Sequence, residues 1–328
     1  MIADPYPLTF RPIFKERVWG GRNLQRLFGK SLPEGQVIGE SWEICDRDDD
    51  NNVVANGPLE GNRLRDVMAQ WGADLMGESR ELNGRFPLLV KLLDAQEKLS
   101  LQVHPPAALA SRMGGEPKTE MWYIADARTD ADLYVGLRRG VSRQGFEERI
   151  REGGVADCFH RIPVAAGDAM FLPSGRVHAI GAGNVIVEIQ QNSDTTYRLH
   201  DWDRVGLEGR PRELHLSQSL ASIDFEDYEP ALVPSGFTRE TDGVTRRILA
   251  DCDSFRVEQC CLQPGAGLPN RIRHRVTVLG VVAGRMVCRA RGHECELAPG
   301  SFCLLPAGLN GECLSLNHGA TCLIAEAG

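Results

Sequence analysis

The sequence predicts a mainly β protein made of two small barrels with a few packing helices. Three observations carry this. Glycine (35) and proline (18) recur at short intervals between small apolar runs, the spacing of many short strands joined by turns. The runs fall into two series separated by a polar, acidic stretch at 225–235. The two series also share a repeat. GDAMFLPSGRVH at 167–178 and GSFCLLPAGLNG at 300–311 both read G, five residues, P, one residue, G, two residues. The first copy ends in His178 and the second in Gly311, as expected of a duplicated barrel with one active and one degenerate copy. The division that follows is a catalytic domain over 1–235, with an N-terminal extension and short helices, and a degenerate domain over 236–328.

Three segments have helical character. In residues 61–77, Leu64, Val67, Met68 and Trp71 fall on one face at i, i+3, i+4 and i+7. Residues 142–154 open with Ser142 as N-cap and close at Gly153. Residues 210–225 form a third helix with Pro211 near its start. The remainder reads as strand. FPLLVKLLDA from Phe86 is continuously apolar, so it is buried. KLSLQVHP from Lys98 alternates, with Leu99, Leu101 and Val103 on one face and Ser100, Gln102 and His104 on the other. MWYIADA, ADLYVGLR, DAMFLPSG, NVIVEIQQ and TTYRLHDW complete the first series. TRRILAD, FRVEQCCL, RVTVLGVVAG, RMVCRA, SFCLLPAG, CLSLNHG and TCLIAEA form the second.

Composition narrows the function. Hydrophobic residues make up 42% and charged residues 25%, which excludes a disordered chain, a collagen and a coiled coil. Thirty-seven basic against 45 acidic residues give a net charge of −8, so no global field favours nucleic acid or an anionic membrane. No apolar run approaches the ~18–20 residues that span a bilayer. The N-terminus lacks the charged-then-apolar order of a signal peptide, and a cytoplasmic protein is expected. Most of the ten cysteines lie between Cys252 and Cys322 with no C-x-x-C pair, which predicts reduced core thiols.

Gln102 and His104 project together from their strand, away from its apolar face. Polar residues on the inner wall of a small barrel need a reason, and a metal is the simplest. Imidazole, carboxylate and amide oxygen suit a borderline divalent ion. Glu120, opening EMWYIADA, and His178, after PSG, are the further candidate ligands. Either histidine alone reads more readily as a hydrogen-bonded imidazole than as a ligand. Glu188 points opposite to the Val185/Val187/Ile189 face, where it reads as a proton carrier, a partner to another site residue or a surface group. Arg176 is a candidate phosphate contact. Trp19 and Trp42 read as core packing, and Glu43 has no derivable role.

G-x5-P-x-G-x2-H resembles the second motif of the cupin superfamily, whose histidine ligates a metal inside a jelly-roll barrel. In order along the chain, WGGRNL (19–24), GESWEI (39–44), LSLQVHP (99–105), KTEMWY (118–123), PSGRVHAIG (173–181) and EIQQNSDTTYRLHD (188–201) together resemble the short bacterial form of the class I mannose-6-phosphate isomerases. The resemblance implies two cupin barrels and interconversion of mannose 6-phosphate and fructose 6-phosphate through a cis-enediol. It implies one zinc on Gln102, His104, Glu120 and His178. Lys118 and Arg198 fall on the family's active-site lysine and arginine: Lys118 to shuttle the proton or help open the ring, Arg198 to bridge the enediol oxygens. Lys91 and Ser100 fall where the family contacts the substrate phosphate. His200 stands where several relatives have tyrosine and takes no shared role. Other readings stay open: a related sugar isomerase with another substrate, a metal-dependent oxidase, or a non-catalytic sugar-binding cupin.

Overall fold

The strand Leu88–Ala95 is buried along its whole length, on both faces, and the molecule is layered around the sheet that contains it. The structure is a computed structural model describing residues 4–268, 274–309 and 314–328, with backbone alone for 314–318. Three antiparallel sheets account for most of it. The first has six strands in the order Ala169–Leu172, Glu120–Ala127, Asn184–Gln191, Leu88–Ala95, Ile38–Ile44 and Ile13–Gly21. The second has five: Tyr197–His200, Leu101–Val103, His178–Ile180, Asp132–Leu137 and Phe159–Pro163. The third is built from residues beyond 237 and centres on two long strands, Thr277–Ala290 and Leu314–Ala327.

The six-stranded sheet is covered on both sides. One face, with Leu93, Trp122 and Ile186, shares a core with Leu133, Val135 and Ile180 of the five-stranded sheet. The other face, with Leu92, Val187 and Ile189, packs on Leu249, Phe255, Val257 and Leu323 of the third sheet. Polar contacts cross the same seam: Gln259 Nε2 donates to Tyr123 Oη at 3.2 Å, and Arg247 donates to the Gly167 carbonyl. Burial on both faces explains why FPLLVKLLDA lacks the alternation of a half-exposed strand.

The three sheets and few helices agree with the mainly β expectation. The helical stripe of Leu64, Val67, Met68 and Trp71 is buried as predicted, but Gly72 splits the segment into Leu64–Trp71 and Ala73–Met76. Ser142 caps Arg143–Glu152 by accepting from the Gly145 amide at 3.1 Å, and Gly153 ends it at φ 80°. The third helix is a correction. It spans only Leu216–Ser222, because Pro211 is bridged to Val205 in a tight hairpin and cannot open a helix there. RVTVLGVVAG and RMVCRA form one strand, Thr277–Ala290, whose register shifts near Ala283 and Gly284 bend it without breaking it.

Two strands, Ile13–Gly21 and Ile38–Ile44, were not predicted. Glycines let them approach closely: a Cβ on Gly20 would meet the Gly39 nitrogen at 2.4 Å. Seven of the nine described cysteines are buried. Gly311, the degenerate counterpart of His178, lies outside the described residues. No helix among the described residues is long and apolar enough to cross a membrane.

The seam between the sheets predicts the unfolding behaviour. Phe255→Ala should cost roughly 3–5 kcal/mol, the range for emptying a buried aromatic site. Calorimetry should still show one cooperative transition, because both sides of the seam belong to one core.

Candidate metal centre and active site

Two cross-strand rows build the site. In the five-stranded sheet, Gln102 lies directly opposite His178 on one neighbour and Arg198 on the other. In the six-stranded sheet, Glu188 lies opposite Lys91 and Trp122, and Lys91 lies opposite Trp42. Residues paired across antiparallel strands share a face, so each row points one way. Trp122 reaches across to His178, ring edge to face, with centroids 5.3 Å apart. Glu120 shares Trp122's face two residues earlier and meets the first row from the opposite sheet.

His104, Glu120 and His178 converge, their ligand atoms all within 4.8 Å of one another. His104 Nε2 lies 3.3 Å from Glu120 Oε1, and His178 Nε2 lies 3.5 Å from Oε2. The Gln102 amide closes on His178 Nε2 at 3.3 Å. Each imidazole is oriented from behind: His104 Nδ1 donates to the Thr195 carbonyl at 2.8 Å and His178 Nδ1 to the Arg176 carbonyl at 2.9 Å. Both Nε2 lone pairs therefore face the carboxylate, the arrangement that metal-ligating histidines adopt.

The electrostatics favour a cation at this point. Burial, reinforced by Lys118, pulls His104 below its ordinary range, and burial pushes His178 down to about 3, so both rings are neutral ligands. Burial would raise Glu120, but the Lys118 ammonium outweighs it and holds the carboxyl well below the usual range. His104 Nε2 and both Glu120 oxygens are buried without a hydrogen-bond partner. A buried anion with unsatisfied oxygens is costly. A divalent ion held by these three groups and the Gln102 carbonyl oxygen would satisfy all of them, so the residues fit a metal.

In front of this cluster lies a cavity of about 640 Å³, lined by Gln102, Lys118, Ser100, Glu188 and Arg198 among others. Lys118 Nζ is 2.8 Å from Glu120 Oε1. Lys91 lies between Glu188 Oε1 at 3.4 Å and Glu40 Oε2 at 3.7 Å, over the Trp42 ring. Burial lowers Lys91, but Glu40 and Glu188 more than reverse it and hold the ammonium above its usual range. Burial and the nearby Glu120 raise Glu188. Arg198 is pulled below its ordinary value by burial and by Arg212. It donates to the Glu213 carbonyl at 2.8 Å, while its Nε is buried without a partner.

All nine predicted site residues thus gather at one place. Arg176 does not join them. Its guanidinium makes paired bonds of 2.8 Å to both Asp227 oxygens and one to the Phe171 carbonyl, so its charge is used in the fold. Glu43 is paired with Lys30 at 2.7 Å. Trp19 and Trp42 are buried, as read from the sequence. Trp42 also donates to Glu40 at 2.6 Å. Sequence reasoning missed Glu40, which links Arg17 at 2.7 Å to Lys91, and the Arg210 and Arg212 wall of the cavity. The signal for Glu40 was its even spacing from Trp42 in GESWEI.

Glu40 makes a pH test available. Burial raises its carboxyl, but Lys91 and Arg17 outweigh this and hold it at about 2, below the ordinary 4.5. A depressed folded value stabilises above the unfolded pKa and is lost as pH falls toward the folded one. The destabilisation caused by Glu40→Gln should therefore shrink by about 2 kcal/mol between pH 6 and pH 3 in urea unfolding. A constant difference would mean that Glu40 is not held ionised.

Comparison with known proteins identifies the family. Residues 8–123 match the family described as phosphomannose isomerase type I, catalytic domain. The chain is 36% identical over 326 residues to mannose-6-phosphate isomerase ManA of Bacillus subtilis, covering 98% of each. It is 40% identical over 215 residues to the mannose-6-phosphate isomerase of Streptococcus mutans, covering 65% of this chain and 66% of that one. The crystal structure of the mannose 6-phosphate isomerase from Bacillus subtilis superposes with a TM-score of 0.87 at 30% identity, over 98% of this chain and 99% of that one. With likeness at this level along nearly its whole length, the chain belongs to the type I phosphomannose isomerase family, the mannose-6-phosphate isomerases.

Proposed function

We propose that the chain interconverts mannose 6-phosphate and fructose 6-phosphate, with one zinc ion held by Gln102, His104, Glu120 and His178. The observation that supports this best is the unsatisfied His104–Glu120–His178 cluster directly behind a cavity walled by Lys118, Glu188 and Arg198. When bound, such an ion supplies Lewis-acid stabilisation of sugar oxygens and a template for their orientation.

The chain's own groups divide the remaining work. Lys118 donates a proton to the ring oxygen as the C1–O5 bond breaks, and the amine so formed takes up the proton leaving the anomeric hydroxyl, so the lysine ends the step as it began. The Glu188 carboxylate takes the proton from C2 and returns it to C1, and its raised proton affinity suits it to that base role. The accompanying hydroxyl proton passes from O2 to O1 while the Arg198 fork holds both oxygens. Lys91 and Trp122 fix Glu188 in place, Trp122 by donating to it at 2.9 Å. Ser100 offers a hydroxyl to the sugar phosphate. Residues 1–235 act as the catalytic unit, and 236–328 as a second barrel that covers the back of the catalytic sheet and takes no part in the chemistry.

Turnover of mannose 6-phosphate should disappear on chelation and return with added zinc. A folded, zinc-loaded sample that fails to turn over would refute the substrate assignment. Arg198→Lys should lower kcat more than it raises KM, because the fork contacts both oxygens only as the enediol forms. An effect confined to KM would remove Arg198 from that step.

A further inference from the structure

We propose that Arg210, at the mouth of the cavity, is the cation that receives the phosphate of the substrate, an inference that rests on the sugar-phosphate reading above. The argument is one of charge compensation. A phosphate dianion needs a cation not already neutralised. Arg17 is 2.7 Å from Glu40, and Lys118 is 2.8 Å from Glu120. Arg212 is bonded to both Asp201 oxygens, at 2.7 and 2.5 Å. Lys91 is the least available, buried between two carboxylates that would repel a phosphate placed against it. That leaves Arg198 and Arg210. Arg198 is oriented by the Glu213 carbonyl and lies beside Gln102 in the strand register, next to the reacting end of the sugar. Arg210 has no ion pair or side-chain hydrogen bond among the described residues, and it lines the same cavity from its outer rim.

Its backbone is nevertheless fixed. Gly206 N donates to the Arg210 carbonyl at 2.7 Å, Gly209 N donates to the Gly206 carbonyl at 3.0 Å, and Val205 bridges to Pro211. Asp201 ties the hairpin down on both sides, at Arg204 and Arg212. A rigid hairpin thus holds one uncompensated guanidinium at the cavity mouth. Glu208 on the same tip makes no ion pair with it. Guanidinium and phosphate match in bidentate geometry.

The test is steady-state kinetics with mannose 6-phosphate, together with calorimetric binding of inorganic phosphate to the zinc-loaded protein. At low ionic strength Arg210→Ala should raise KM about fivefold to tenfold with a far smaller change in kcat, and weaken phosphate binding by a similar factor. Arg210→Lys should restore most of both, and the difference from wild type should narrow as salt screens the contact. Unchanged KM and unchanged phosphate affinity in Arg210→Ala would overturn the inference while leaving the isomerase reading intact. Arg210-dependent phosphate binding without turnover by the wild type would support the inference and refute that reading.

Discussion

Glu188 sits across from Lys91 on one neighbouring strand and from Trp122 on the other, and the whole site depends on that register. A slip of one residue would turn Glu188 toward the Leu92, Val187 and Ile189 core and bring Val187 or Ile189 to the cavity. The slip is opposed from both sides because both faces of the six-stranded sheet are packed. The C-terminal sheet contributes to this by covering the far face. In doing so it clamps the strands that carry Lys91, Glu120 and Glu188 without placing a side chain in the cavity.

The second constraint is electrostatic. Glu40, Lys91, Glu188, Lys118 and Glu120 are all buried ionisable groups, and burying charge costs several kcal/mol per ion even after relaxation. They are tolerated because each faces an opposite charge: Glu40 faces Lys91, Lys91 faces Glu188, Lys118 faces Glu120. The chain of pairs ends at Glu120, where a single lysine faces a carboxylate whose other neighbours, His104 and His178, present only neutral acceptor nitrogens. This is why the unsatisfied atoms collect there, and why a cation is the natural occupant.

The candidate metal cluster was legible because its signals are local. Gln102 and His104 stand two apart on a strand, so period-two alternation alone places them together. His178 ends a turn motif whose spacing repeats later in the chain. Glu188 was legible by the same parity, opposite Val185, Val187 and Ile189. The pairing of the basic side chains was not legible. Arg176 looked available because its partner, Asp227, lies 51 residues away in sequence. Lys91 looked available because nothing near it reveals that Glu40 crosses beside it. Pro211 suggested a helix start because proline is at home there, whereas its bridge to Val205 makes it one side of a hairpin.

The sequence by itself determined the kinds of strand, the face each polar residue takes and the donor set for a metal, because these follow from backbone periodicity over a few residues. Only the tertiary structure decided which charges are neutralised and which stay free to meet a ligand. Compensation depends on distances of 3–4 Å between strands whose residues are separated by fifty or more positions, and that pairing is set by how the sheets stack.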